Sequence, residues 1–546
     1  MQFNLADLFE AVADTVGDRD ALVCTGVEPA GPTPVRWTYA ELATQVDRMA
    51  HVLADHGVAV GRHVGLHLHN GWEYVTAMLA AFSLRAVPVN LNYRYVADEL
   101  AHVFADADLA LVLTEPDHLA VVDEARHRAG APHQILVRGP GLDALVAAAS
   151  PTPVAVGPRS SDDRYLLYTG GTTGMPKGVM WRHEDIYFAS LGGRGTPSKG
   201  VPALTAPEQV IERARRGDPI MRRLPLCPMM HGGAMWVALQ THLNGGCLVL
   251  STDRHFEASA ALDLLVGERI ELTMLIGDAT GRPLADALAA EPDRWDLSSL
   301  QVIASGGAIL APATQAVLRR LLPGTRVIDT FGASETGGQG RLVPASENGP
   351  PRLVTDDRTA VLGDDLRPVT PGGVGRLARR GWIPLGYRND PERTAATFPV
   401  VDGVRWSVPG DLARLEPDGT ITVLGRGSQC INTGGEKVYP EEVEAAVKHH
   451  PAVLDVLVVG LPDERFGQRV TAVVSTRDGM AVPDDTELED HARQHVAGYK
   501  VPRRWVHVDR CQRLPTGKPD YRWARSVAER PSVTHVPGAD APSCMS

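Results

Sequence analysis

Cysteine is scarce. The chain has six in 546 residues, namely Cys24, Cys227, Cys247, Cys430, Cys511 and Cys544. None forms a Cys-x-x-Cys pair or stands at zinc-ligand spacing, which argues against a disulfide framework and against a cysteine metal site. A reduced cytoplasmic setting is the simplest expectation. No run of about 18 apolar residues occurs, so no membrane span is expected. The opening Met1-Gln2-Phe3-Asn4-Leu5-Ala6-Asp7 has neither a basic segment nor a signal-type apolar core. Positive charge is also short. Lysine and arginine together number 54 against 66 acidic residues, a formal net charge of −12. A nucleic-acid binder needs a basic face, so that class is disfavoured, whereas a small anionic ligand needs only a local basic site. No short-period repeat of the solenoid kind is present.

The length calls for two or more domains, and the apolar and charged fractions, 44% and 22%, are those of an ordinary globular protein. Apolar β-rich runs alternate with helical patterns. Val64 to Leu68, Leu109 to Leu113, Gln134 to Val137, Leu248 to Leu250, Leu272 to Ile276 and Val302 to Ala304 read as strands, and Glu73 to Leu84 as a helix. This βαβα rhythm predicts mainly parallel sheets covered by helices, an α/β architecture. Gly192 to Arg215, rich in Gly, Pro and charge before a helical end, reads as a surface insertion. From Gly372 onward short β segments and turns take over, with Asp418-Gly419 at the centre of a hairpin. Past Gly425-Arg426-Gly427-Ser428 a smaller α+β unit begins, its first helix starting near Pro440 with acidic residues that suit a helix N-terminus. The tail from Arg530 reads as disordered.

The most informative string is Tyr168-Thr169-Gly170-Gly171-Thr172-Thr173-Gly174-Met175-Pro176-Lys177-Gly178, behind the apolar Leu166-Leu167. Glycines allow close backbone approach and positive φ, and successive N–H groups in such a loop form an anion-binding concavity. Three threonine hydroxyls and the Lys177 ammonium complete a phosphate cradle. The common P-loop needs Gly-Lys-Ser/Thr, which is missing, and Pro176 pushes Met175 towards an extended conformation rather than a helix start. Taken alone, the string also fits a flexible surface loop.

It resembles the phosphate-binding loop of the adenylate-forming superfamily, which comprises acyl-CoA synthetases, aryl-CoA ligases, luciferases and peptide-synthetase adenylation domains. Gly170 replaces the usual serine. Further segments resemble that family in order along the chain. Asp329-Thr330-Phe331-Gly332-Ala333-Ser334-Glu335 is similar to its aromatic-Gly-x-Thr-Glu motif, implying that Phe331 flanks the adenine and that Glu335 is catalytic and holds Mg²⁺. Ser305-Gly306-Gly307-Ala308 resembles the strand-end turn that admits adenine and acyl group. Asp411, in Pro409-Gly410-Asp411, matches the ribose-binding aspartate. Arg426 matches the arginine that reaches ribose or phosphates. Gly434 and Gly435 fall in the thioester-forming segment, where Ser428 replaces the usual hinge Asp or Lys and Asn432 a common lysine. Leu514-Pro515-Thr516-Gly517-Lys518 matches the catalytic-lysine motif. His231, in Pro228-Met229-Met230-His231, resembles the gate beside the acyl pocket, and a core or capping histidine is the other reading. The runs Trp181-Arg182-His183-Glu184-Asp185 and Asp520-Tyr521-Arg522-Trp523-Ala524 are similar to actinobacterial acyl-CoA synthetases of the steroid side-chain group.

The resemblance implies an adenylation domain over residues 1–426, built of mainly parallel sheets plus a β subdomain, a mobile α+β lid over 427–529 and a tail over 530–546. It implies ATP, Mg²⁺ and CoA, a small carboxylic acid as substrate, no nucleic-acid partner, and leaves a homodimer open. The implied activity is formation of acyl-AMP followed by transfer to CoA. Passage of an activated acid, or of nitrite in a diazotisation, to another acceptor is the alternative, and a non-catalytic nucleotide sensor is a third reading.

Overall fold

The computed structural model describes all residues except 27–33, 172–173, 196–201, 218–220, 309, 344–351, 427–428, 430, 434–435, 464–466, 497, 515–517 and 531–546. It divides into two units. The first takes in Met1–Leu310, Thr314–Gln339 and Arg380–Ser407, and the second Ala311–Ala313, Gly340–Arg379 and the chain from Val408.

The first unit is an α/β body with two sheets. In one, Asp20–Thr25, Cys247–Ser251, Arg222–Pro225, Leu272–Leu275, Val302–Ser305 and Arg326–Ala333 lie side by side, all parallel, with Val35–Thr38 antiparallel at the edge. In the other, Gln134–Val137, Leu109–Thr114, His63–His67, Val87–Asn90 and Arg164–Gly171 run parallel, and Gly174–Arg182 turns back antiparallel. The strands read as continuous apolar runs because helices cover both faces. Every expected strand and the helix now bounded as Trp72–Ser83 is present within a residue or two.

Between the sheets the helices pack into one apolar cluster. Leu22 and Cys24 come from the first sheet, Leu66, Leu111 and Leu113 from the second, with Leu8, Leu53, Met78 and Leu239 from the helices. Tyr39–Asp55 buries Tyr39, Leu42, Val46, Met49, Ala50 and Leu53, the three- and four-residue spacing of one helix face. Thr38 caps it in a capping box with Glu41. Trp72–Ser83 is apolar almost all round and correspondingly buried along eleven of its twelve residues.

Of the segment 192–215, expected to be a surface insertion, the helical end is part of the packed body. That helix, Glu208–Arg216, packs on helix Leu5–Thr15 and buries Val210 and Ala214 in the main cluster. Arg213 donates to the Tyr187 hydroxyl at 2.8 Å, and Arg19 donates to the Ala214 carbonyl at 2.6 Å. The charge that made it look exposed sits on the other face of a strongly amphipathic helix.

The second unit holds antiparallel strands Arg352–Thr355, Thr359–Leu362, Val374–Arg380, Asp411–Leu415 and Ile421–Arg426, and then an α+β portion. The expected hairpin closes with Leu415 opposite Ile421 and Gly419 at φ 82°. The helix expected at Pro440 spans Pro440–Lys448. Val453–Asp463 and Gly467–Thr476 form a long antiparallel pair, joined by Arg504–Val508 parallel to the latter. Among the described residues no helix is long and apolar enough to cross a membrane.

Candidate active site

The glycine- and threonine-rich string lies on two paired strands. Arg164–Gly171 pairs antiparallel with Gly174–Arg182, placing Thr169 opposite Lys177 and Gly171 opposite Gly174. Thr172 and Thr173 lie outside the described residues. A P-loop leads from strand into helix. Here the chain returns as a strand because Pro176 disfavours helix at Met175. Gly178 is required by contact, since a Cβ there would come within 2.9 Å of the Tyr168 ring. That ring is fixed in turn by its hydroxyl, which donates to Asp106.

Asn90 anchors the hairpin's root. It is buried at the end of strand Val87–Asn90. Its Oδ1 accepts from Tyr168 N–H at 2.7 Å, and its Nδ2 donates to the carbonyls of Tyr168 (2.9 Å) and Met230 (2.8 Å). One amide therefore ties the phosphate loop to the segment carrying His231. His231 itself occupies the N-cap position of helix Gly232–Leu243, and its carbonyl accepts from Met235 N–H.

The second signature starts on strand Arg326–Ala333, which carries Asp329, Thr330, Phe331 and Gly332, and turns through Ser334 and Glu335. Thr330 Oγ1 donates to the Ser305 carbonyl at 2.6 Å, so this strand abuts the turn holding Gly306, Gly307 and Ala308. A Cβ on Gly306 would stand 2.8 Å from Thr330 Oγ1, and Gly307 has φ 78°. Asp329 is buried. Burial drives its acid up to about 7, against the pull of donors from Leu310, Ser305 and Thr330, with Asp278 adding repulsion.

Three contacts hold the turn. Trp181 Nε1 donates to the Ser334 carbonyl at 3.0 Å. Ser407 Oγ donates to the Glu335 carbonyl at 2.6 Å. Tyr387 donates its hydroxyl to Glu335 Oε1 at 2.9 Å, and Lys177 Nζ sits 5.4 Å from the centre of the same Tyr387 ring. Tyr387 thus links the cation of one signature to the carboxylate of the other. Burial, and then the Glu335 charge, raise the Tyr387 phenol and keep it a donor. Trp181 was singled out in sequence only as part of a resembling run, and Asn90, Tyr387 and Ser407 are the positioning residues that sequence reasoning missed. Of these three, Asn90 left a signal, a polar residue closing an apolar strand.

The run Trp181-Arg182-His183 is structural. Trp181 and His183 are fully buried. Burial lowers the His183 imidazolium to about 4, and the neutral ring accepts from Leu5 N–H at 3.2 Å.

The remaining expected residues belong to the second unit. Asp411 is nearly buried at the start of its strand, paired across the ladder with Arg426. Leu514 N–H donates to the Lys518 carbonyl at 2.8 Å, and residues 515–517 between them lie outside the described residues. Thr433 pairs with Glu436, and Gly434 and Gly435 between them lie outside the described residues, as does Ser428.

Comparison with known proteins identifies the family. The model of the AMP-binding enzyme family matches residues 9–386, and that of the AMP-binding enzyme C-terminal domain matches 442–518. A medium/long-chain-fatty-acid–CoA/3-oxocholest-4-en-26-oate–CoA ligase of Mycobacterium tuberculosis is 44% identical over 96% of both chains. A 3-oxocholest-4-en-26-oate–CoA ligase of Rhodococcus rhodochrous is 42% identical, again over 96% of both. The crystal structure of ATP-bound MatB from Rhodopseudomonas palustris superposes with a TM-score of 0.77 at 25% identity, covering 96% of this chain and 99% of that one. The chain belongs to the AMP-binding enzyme family.

Proposed function

We propose that this AMP-forming acid:CoA ligase takes a bulky apolar carboxylate, of the steroid side-chain or medium- to long-chain fatty class. The observation that carries the acid class is near-full-length identity of 44% to a ligase named for those acids.

The chemistry asks for positioning more than for proton transfer. A carboxylate is already ionised at neutral pH, so no strong base is needed to make the nucleophile. Two anions must meet, and the barrier lies in aligning them and neutralising their charge. In our reading Thr169, Thr172, Thr173, the N–H groups of Gly170 and Gly171, and Lys177 hold the phosphates. Gly306, Gly307, Ala308, Asp329, Thr330, Phe331, Gly332 and Ser334 bound the adenine, and Asp411 and Arg426 bind the ribose side. Glu335 fits a Mg²⁺ ligand, being a half-buried carboxylate steadied by Tyr387 beside the phosphate loop's lysine. Mg²⁺ would supply charge neutralisation at the phosphates. Lys518 would neutralise charge developing between α-phosphate and carboxylate, and His231 would stand beside the acyl group.

For the second step, residues 427–529 would act as the mobile lid of the 1–426 domain, pivoting near Ser428 to bring Gly434 and Gly435 along the thiol's approach. Excluding water between steps would protect the adenylate. We assign the enzyme to the cytoplasm, where buried free thiols such as Cys24, Cys227 and Cys247 stay reduced.

A pyrophosphate-release screen over steroid, fatty and aryl acids, with and without CoA, tests the reading. Steroid or fatty acids should give the highest turnover and a CoA thioester. Preference for aryl acids would refute the acid class, and pyrophosphate release with no thioester from any acid would refute the acceptor.

A further inference from the structure

We propose that His69, Glu115 and His118 form a binding site for a divalent transition metal of the zinc class, separate from the proposed Mg²⁺ position.

The fold brings these residues together. Strands His63–His67 and Leu109–Thr114 are parallel neighbours, with His67 opposite Thr114. His69 follows the first strand by two residues and Glu115 the second by one. His118 ends the short 3₁₀ turn Pro116–His118. All three therefore leave the carboxyl edge of a parallel sheet, the edge where α/β folds bind ligands.

The donor set is that of a zinc-type site. One ligand atom from each residue lies within 4.8 Å of the other two. His69 Nδ1 is already 2.9 Å from Glu115 Oε2, and the His69 N–H donates to Glu115 Oε1 at 2.8 Å. Atoms on one tetrahedral zinc ion lie about 3.4 Å apart, given bonds of about 2.0–2.1 Å, so closure needs only side-chain adjustment. Two imidazoles and a carboxylate leave a fourth position for water.

A second observation points the same way. His118 Nε2 is buried and has no hydrogen-bond partner. A buried polar nitrogen without a partner is costly, and a cation satisfies a neutral imidazole. The rings are stacked in place, His69 on Tyr93 at 3.8 Å and on His118 at 5.4 Å.

Two arginines compete for the carboxylate. Arg138 takes Oε1 at 2.9 Å, leaving Oε2 to face His69. Arg254 reaches Oε2 at 3.3 Å, is itself half exposed and also holds Asp117 at 2.6 Å, so it is the cation a metal would displace. The site would brace a functional segment. Asn70, next to His69, accepts from Met229 N–H at 2.8 Å, two residues before His231.

The test uses the full chain stripped with chelator. Titration with Co²⁺ should give one equivalent with a visible absorption band of nitrogen and oxygen ligation, and Zn²⁺ should displace it. His118→Ala, which removes a ring whose Nε2 bonds nothing in the protein, should keep the metal-free melting temperature and weaken Co²⁺ binding at least tenfold. That variant retains the other imidazole cluster, His449, His450, His491 and His495. Unchanged binding in His118→Ala, or no stoichiometric binding by the parent, would overturn the proposal. Should the variant fail to fold, hyperfine-shifted proton resonances of Co²⁺-loaded parent protein decide. Signals from two imidazoles support the site, and their absence refutes it.

Discussion

Six lysines in the whole chain make each one conspicuous, and two of them, Lys177 and Lys518, stand in the phosphate-loop and C-terminal signatures. Residues of this kind were legible in the sequence because their chemistry sits in short strings. Those that position them were not. Tyr387 lies 52 residues from Glu335, and Asn90 lies 78 and 140 residues from its two partners. Tyr387→Phe keeps the ring under Lys177 but removes the hydrogen bond to Glu335. A bond to a charged group contributes roughly 1.5–3 kcal/mol, so adenylation should slow about tenfold or more, read as acid-dependent pyrophosphate exchange. An unaltered rate would detach Tyr387 from the site. Asn90→Ala removes three bonds to buried backbone groups and should cost about 1–3 kcal/mol or more, read as a lower urea midpoint at constant slope. Asp329 offers a test by pH. Its folded-state acid lies near 7, above the ordinary 3.8, so the group contributes stability below pH 3.8 that is lost as pH rises through 7. Asp329→Asn should therefore gain in melting temperature relative to the parent as pH goes from 4 to 7, and the gain should level off above that. A gap that stays constant across this range would show that the carboxyl ionises normally.

At the scale of elements, periodicity located the strands, because parallel strands covered on both faces are unbroken apolar runs. It failed at the helix Glu208–Arg216, where the abundance of charge on one face hid the buried Val210 and Ala214 on the other. The subgroup resemblance at Trp181 to Asp185 also has a structural content, since Trp181 fastens the Ser334 turn and His183 caps onto Leu5. That turn is compact enough to test. A Cβ on Gly332 would lie 2.5 Å from the Gly337 carbonyl oxygen, and backbone cannot swing aside as a side chain can. A Cβ on Gly338 would meet nothing nearer than 3.5 Å. Gly332→Ala should lower stability by about 1–3 kcal/mol and impair ATP binding, while Gly338→Ala should do neither. Equal effects in calorimetry and in the ATP Michaelis constant would mean that the close approach is not what shapes the turn.

At the scale of the molecule, the two units carry complementary parts of the proposed chemistry: the phosphate hairpin and Glu335 in the first, Asp411, Arg426 and Lys518 in the second. The order of these motifs was legible from sequence, but the acid was not, because pocket walls are assembled from distant segments. The central claim is AMP-forming ligation to CoA. Its most direct test is product stoichiometry by liquid chromatography and mass spectrometry, with ATP, CoA and a steroid side-chain or long-chain fatty acid, comparing the parent with Lys518→Ala. The account predicts AMP, pyrophosphate and acyl-CoA in equal amounts from the parent. For the variant it predicts adenylation nearly abolished, with transfer from preformed acyl-AMP to CoA retained. Release of ADP and phosphate, or parent-like adenylation by Lys518→Ala, would contradict it.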